Sequence, residues 1–440
     1  MGQKIPRRIA TILLNSLKGG VVPRTGLGYI AVGREKEINA LLNDVKIIED
    51  GGATFRFIVG KYGSGKSFLL QTIRNHVMDQ GFVVLDGDLS PERRLTGTKG
   101  QGLATYRELI SNMSTKTKPD GGALPLILEK WISSIQSEVM TTLNISPEDK
   151  EFQKQVEIKI YEVVNKIEGM VHGFDFAKVI SKYWSGYKEG NEDKKNNALR
   201  CLRGEYQTKT ECKQDLDVNI IITDDNWYDY IKILAVFMVG AGYKGMLLLI
   251  DELVNLYKLP TSITRQYNYE KILTMYNDTL QGKAKYLGII MGGTPQCVED
   301  NRRGIFSYEA LKSRLEDSRF ASDEERDFLA PIIRLKPLTP SEMTILVEKL
   351  TNIHADLYEY ERKITEQELI EFIKIEFSRI GATTNITPRE IIRDFIELLN
   401  TLYQYPEKTL LSIIQSDSFT YATGENPEEE ITEEFASFEL

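Results

Sequence analysis

Cysteine and histidine are scarce in this chain. The three cysteines, Cys201, Cys212 and Cys297, form no C-x-x-C pair, and the three histidines, His76, His172 and His354, are scattered. This excludes a disulfide scaffold and argues against a metal site of His and Cys ligands. A reduced, cytoplasmic protein is the expectation. Long hydrophobic runs are missing too. No apolar stretch reaches the length a bilayer demands, so no membrane partner is expected. Ile9 to Leu17 is short and broken by Asn15 and Ser16, which suits an amphipathic helix and not a signal peptide. Pro6 stands where a myristoylation signal after Gly2 needs Ser or Thr. There is no internal repeat. An excess of positive charge is also absent. The formal net charge is −9, so the molecule is no polycation, and any nucleic-acid site must be a local patch. The start of the chain lacks acid instead. Residues 1–34 carry Lys4, Arg7, Arg8, Lys18, Arg24 and Arg34 with no Asp or Glu. That run reads as a solvated basic face or as a contact to a partner or nucleic acid.

What is present centres on Gly60-Lys61-Tyr62-Gly63-Ser64-Gly65-Lys66-Ser67, which fits G-x-x-x-x-G-K-[ST] without a mismatch. Phe55 to Val59 before it reads as a buried strand, and Phe68 to Arg74 after it as the first turns of a helix. Strand, glycine loop and helix are the context this motif requires. Glycines let successive N–H groups turn inward toward an anion, and the helix N-terminus adds a positive dipole end. Lys66 can reach the β- and γ-phosphates of ATP, and the Ser67 hydroxyl can hold Mg²⁺.

Further strands are expected at Phe82–Asp86, Met246–Glu252, Tyr286–Met291 and Ile332–Leu335. Helical spacing marks Ile38, Leu41, Leu42 and Val45, with Gly51-Gly52 closing that helix. A long segment from about Arg93 to Tyr243 is mostly helical, with helices expected over Thr105–Met113, Leu124–Leu143, Glu151–Ile167 and Asn226–Val239. Lys116–Gly122 and Lys188–Asn197 read as turn-rich pieces, the second charged and exposed. Helices return over Ser341–Ile353, Glu366–Ile380 and Pro388–Tyr403. Strands alternating with helices imply an α/β fold with a parallel sheet covered on both faces. The expected organisation is a basic segment and helix (1–52), a P-loop core (53–335) with its helical insertion (about 93–243), a helical lid (336–405) and an acidic tail (406–440).

The strand ending in Asp251-Glu252 supplies what the glycine loop lacks. Asp251 can join the Mg²⁺ shell, and Glu252 can polarise a water for attack on the γ-phosphate. Thr294, at the end of another strand, could sense the γ-phosphate or simply make the turn before Pro295. Arg389, at a helix start after Thr387-Pro388, could point at phosphate or pair with an acid.

The order of these motifs resembles an AAA+ ATPase of the initiator kind, related to ORC-type loaders and DnaA, over most of residues 30–403. The resemblance implies a three-layer P-loop core and a nucleotide set of Gly33, Arg34, Gly60, Tyr62, Gly63, Ser64, Gly65, Lys66, Ser67 and Phe68. In it, Gly33-Arg34-Glu35 is similar to the box that packs near the adenine. Gly60–Ser67 matches Walker A and Leu247–Glu252 matches Walker B. Thr294 falls at sensor 1, where initiators more often place Asn. Leu311-Lys312-Ser313-Arg314-Leu315 resembles the box whose arginine serves a neighbouring subunit's nucleotide, with Arg319 as rival to Arg314. Arg389 falls at sensor 2. Too few residues follow Tyr403 for the winged helix of DNA-loading initiators, which counts against DNA binding through such a domain. A closer similarity runs over nearly the whole chain. The stretches GKYGSGKSF, DLSPERRL, TKTKPDGGALP, DDNWYDY, IDELVNLYK and ITPREIIRDF resemble the BREX-type ATP-binding family of bacterial phage-defence loci, in its shorter, BrxD-like form. That resemblance implies a defence ATPase working with DNA and a superfamily 2 helicase, and the first reading is a homo-oligomeric, Mg²⁺-dependent ATPase switch or loader on DNA. The rival is a signalling ATPase that gates a protein partner without touching DNA. A P-loop kinase suits the acidic strand end less well.

Overall fold

The computed structural model describes residues 5–316, 326–380 and 387–414. In chain order the helices are α1 (Arg7–Lys18), α2 (Leu27–Ile30), α3 (Glu35–Glu49), α4 (Lys66–Asp79), α5 (Gln101–Ser111), α6 (Leu124–Leu143), α7 (Phe152–Glu168), α8 (Gly173–Glu189), α9 (Glu192–Leu202), α10 (Lys209–Leu216), α11 (Trp227–Gly240), α12 (Val254–Tyr257), α13 (Ser262–Leu280), α14 (Pro295–Glu299), α15 (Glu309–Leu315), α16 (Pro340–Tyr358), α17 (Glu366–Ile380), α18 (Pro388–Gln404) and α19 (Leu410–Ile414). The strands are β1 (Ala53–Val59), β2 (Val83–Asp88), β3 (Met246–Asp251), β4 (Leu287–Gly293) and β5 (Ile332–Arg334).

The strands form one sheet in the order β2-β3-β4-β1-β5. The pairs β2–β3, β3–β4 and β4–β1 are parallel. Met246 to Ile250 is buried throughout, as is all of β4, which is the continuous apolar pattern of strands covered on both faces. This is an α/β P-loop fold with helical insertions. Parallel pairing brings the carboxyl ends of β1, β3 and β4 to one edge, where Val59 pairs with Gly293 and Ile250 with Met291.

The chain divides into two compact units that do not follow chain order. Among the described residues, 39–59, 73–316 and 326–333 make one, with the sheet and the insertion helices α5–α11 sharing a single core. Residues 5–38, 60–72, 334–380 and 387–414 make the other. In that second unit the apolar stripe of α1, Ala10, Leu13 and Leu14, packs into the core of α16, α17 and α18. Phe372 and Phe395 meet there with ring centroids 5.1 Å apart.

Two sequence expectations need correction. Lys188–Asn197 is exposed over much of its length, but it is helical apart from Gly190 and Asn191, the break between α8 and α9. Gly190 takes the left-handed conformation that ends α8, and the Asn191 side chain caps α9. Strand β2 runs past Asp86 to Asp88, because Gly87 and Asp88 go on pairing with Ile250 and Asp251. Helix α13 gave no apolar period to read. Its buried face includes Arg265, Asn268, Asp278 and Thr279, polar groups that are all hydrogen-bonded.

Candidate nucleotide site

The motif loop leaves β1 at Val59, and α4 begins at Lys66. Gly63 (φ 72°) and Gly65 (φ 88°) occupy the left-handed region that strains any L side chain. A Cβ on Gly63 would collide with Thr387, and one on Gly60 with the Ser64 side chain. Ser64 is buried, and among the described residues its Oγ has no hydrogen-bond partner, an orphan that needs an explanation in a folded protein. The Lys66 ammonium donates to the carbonyls of Gly60 (2.9 Å) and Lys61 (3.2 Å) and lies 5.4 Å from the ring centre of the exposed Tyr62. Ser67 is exposed on the first turn of α4, while Phe68 packs against the α1–α18 core. Left-handed glycines, an orphan hydroxyl, a lysine drawn over the loop and a helix N-terminus together fit a polyphosphate.

Around this loop stand residues far away in sequence. Arg34 is 6% exposed, so it is no part of a solvated basic face. Its Nη2 donates to the carbonyls of Ser64 and Lys336, each at 2.8 Å. Gly33 (φ 69°) sits so close to Glu342 that a Cβ would strike the carboxylate. Glu342 in turn closes a capping box with Thr339 at the start of α16. Thr387, which touches Gly63, closes another with Glu390 at the start of α18. Arg389 is exposed at the second position of that helix, and a Cβ on Gly20 would touch its aliphatic stem. The contacts of Glu342 and Lys336 went unread in the sequence. The signal for Glu342 was Thr339-Pro340-Ser341-Glu342, a T-P-x-E pattern repeated at Thr387–Glu390.

The acidic strand end belongs to the sheet unit. Asp251 is half-buried and Glu252 exposed, and Glu252 has φ 61°. The Glu252 N–H donates to Asp251 Oδ1 at 2.8 Å. Neighbouring strand ends hold this corner. Leu89 N–H donates to the Asp251 carbonyl and Leu253 N–H to that of Gly292, both at 3.1 Å. Asp88, itself exposed, lies opposite Asp251, and partial desolvation by the surrounding protein, reinforced by the Asp251 and Asp86 charges, raises its pKa above the usual carboxylate value. Sequence reasoning missed Asp88, although Asp86-Gly87-Asp88 spelled out a strand with acids at its end. Thr294 follows β4 and N-caps α14, its Oγ1 accepting from Cys297 N–H at 3.4 Å. Arg314 is exposed on α15, donating to the Ala310 carbonyl of its own helix at 2.6 Å. Burial raises the pKa of Tyr276 on α13, and the Arg314 charge works against that rise. Arg319, Lys4 and the acidic tail from Gly424 lie outside the described residues.

Among the described residues, no cluster of three or more His, Cys, Asp or Glu is placed to hold a metal ion. A phosphate-bound Mg²⁺ does not require one, since it takes one or two protein ligands beside phosphate and water. Nor is any described helix long and apolar enough to cross a membrane.

A family model described as BREX system ATP-binding protein BrxC/D matches residues 5–418. The chain belongs to that family. It is thus an ATP-binding protein of a bacterial phage-defence system. The match also takes in the helical insertion, so α5–α11 belong to the family's architecture. Among curated proteins, none matches the chain.

Proposed function

We propose that this BREX family member hydrolyses the ATP it binds. In this reading the loop N–H groups and Lys66 hold the phosphates, and Lys66 exchanges the Gly60 and Lys61 carbonyls for phosphate oxygens. Glu252 is the base that takes the proton of the attacking water. Thr294 and Arg389 sense the γ-phosphate, and Arg314 of a neighbouring copy steadies the charge of the transition state. Ser67 and Asp251 offer the oxygen ligands that would hold Mg²⁺, which neutralises phosphate charge when bound. The observation that supports hydrolysis over mere binding is Glu252 itself. A non-glycine residue at φ 61°, next to the acid at a strand end, is the kind of local strain that gathers at catalytic positions. ATPase assays on the wild type, Lys66→Ala and Glu252→Gln test this. A Lys66→Ala rate equal to the wild type's would sink it.

The switch would act on DNA, as an oligomer beside a superfamily 2 helicase. Arg7, Arg8 and Lys18, exposed on α1, support a nucleic-acid contact. The second reading, a nucleotide-gated regulator of a protein partner, has its own support. Basic side chains in the insertion are matched by acids, with Lys194–Glu189 at 3.2 Å, Lys195–Glu192 at 3.0 Å and Arg200–Glu211 at 2.7 Å. Neutralising Lys4, Arg7 and Arg8 should weaken DNA affinity and flatten its dependence on salt. An unchanged slope favours the second reading.

A further inference from the structure

We infer that Arg34 is a positioning residue. It pins the phosphate loop to the segment leading into α16 and acts on the nucleotide only through the loop backbone, not through the base. The inference rests on the nucleotide-binding reading above.

The argument begins with burial. A guanidinium this deeply buried must be paired and hydrogen-bonded to be tolerated. Arg34 meets that demand with Glu37 Oε1 at 3.9 Å from Nη1, and Glu37 is itself 2% exposed. The two donors of Nη2 go to two carbonyls, Ser64 inside the loop and Lys336 just after β5. The Ser64 carbonyl matters most. A trans peptide is planar, so its C=O and the following N–H point in opposite directions. Holding the Ser64 carbonyl against Arg34 therefore turns the Gly65 N–H the other way, away from the guanidinium. Gly65 needs φ 88° to allow this, and a Cβ built there would lie 4.0 Å from Arg34 Nε and Nη2. Removing Arg34 frees that peptide to rotate, and a phosphate then has to order it.

The bond to Lys336 adds a second consequence. One nitrogen joins the loop to the chain that starts the α16–α18 bundle, beside Gly60, where a Cβ would come 3.1 Å from Leu335 Cβ. The loop and the bundle thus share one buried tether.

The experiment measures affinities for ATP and GTP by competition against a fluorescent nucleotide, using the full chain. Wild type, Lys66→Ala, Arg34→Ala and Arg34→Lys are compared. Arg34→Ala should lose affinity about tenfold or more, as expected for hydrogen bonds from a charged group. The factor should be the same for both nucleotides, and ethylguanidinium should restore part of it by filling the hole. Arg34→Lys should fall in between, and it serves as the reporter if Arg34→Ala does not fold. A loss confined to ATP would make Arg34 a base contact and overturn the inference, as would unchanged affinity in both Arg34 variants. If Lys66→Ala binds as tightly as the wild type, the nucleotide reading itself fails, and this inference falls with it.

Discussion

The backbone N–H of Glu252 donates to the Asp251 carboxylate at 2.8 Å, and Glu252 adopts φ 61° in that arrangement. The short loop after β3 therefore aims two adjacent acids differently. Asp251 folds back on the chain, and Glu252 stays exposed. Glu252→Gln should keep ATP binding and lower hydrolysis by roughly 10²- to 10⁴-fold, the range for loss of a general base. Equilibrium binding and steady-state ATPase rates on one preparation check this. Normal turnover would remove Glu252 from the mechanism.

Gly63 and Thr387 are in tight contact, and Gly63 also has positive φ. Gly63→Ala should cost about 1–3 kcal/mol from left-handed strain and overpacking together. Combining it with Thr387→Gly, which removes the Cβ, Oγ1 and Cγ2 that the new methyl would meet, should recover part of that loss, since the two sites share one space. Denaturant melts of the single and double variants give the coupling. Strictly additive effects would show that backbone strain alone sets the cost.

Arg314 stands exposed on α15, bonded only locally among the contacts described. We predict that Arg314→Ala binds ATP normally but hydrolyses it about a thousandfold more slowly, the scale for loss of a trans-acting arginine. Mixing it with Lys66→Ala should restore some activity, because one copy brings the intact site and the other the intact arginine. No rescue from a mixture that still co-assembles would move the test to Arg319.

His354 is fully buried, with ring nitrogens within 2.9 Å of Tyr360 Oη and 3.3 Å of Asn400 Oδ1. Burial lowers its pKa below the ordinary 6.5, with the Asn400 bond opposing weakly. Below pH 6.5 the unfolded chain thus binds a proton that the folded one resists. Stability should be fully present above that pH and decline as pH falls toward the lowered value. Thermal melts across pH 5–8 should show this slope in the wild type and a shallower one in His354→Gln. Identical slopes would place the titration elsewhere.

Local pattern was enough to find the glycine loop between β1 and α4, that strand and helix, the acidic end of β3 and the parallel α/β class. Each rests on neighbours in sequence, through glycine at left-handed positions, apolar runs and helical spacing. Leu124–Leu143 and Glu366–Ile380 could be read to the residue because their apolar stripes are regular. Other features depended on tertiary structure. Arg34 looked like one more charge in a basic run until the fold buried it against carbonyls 30 and 302 residues away. Helix α13 hid because its buried face holds polar groups whose partners lie on other segments, as when Asn268 accepts from Leu95 and Thr96. Asp88 gained its significance only when strand register set it beside Asp251. A sequence records which groups can bond. Which buried carbonyl meets which donor depends on how distant segments close together, and no local period carries that information.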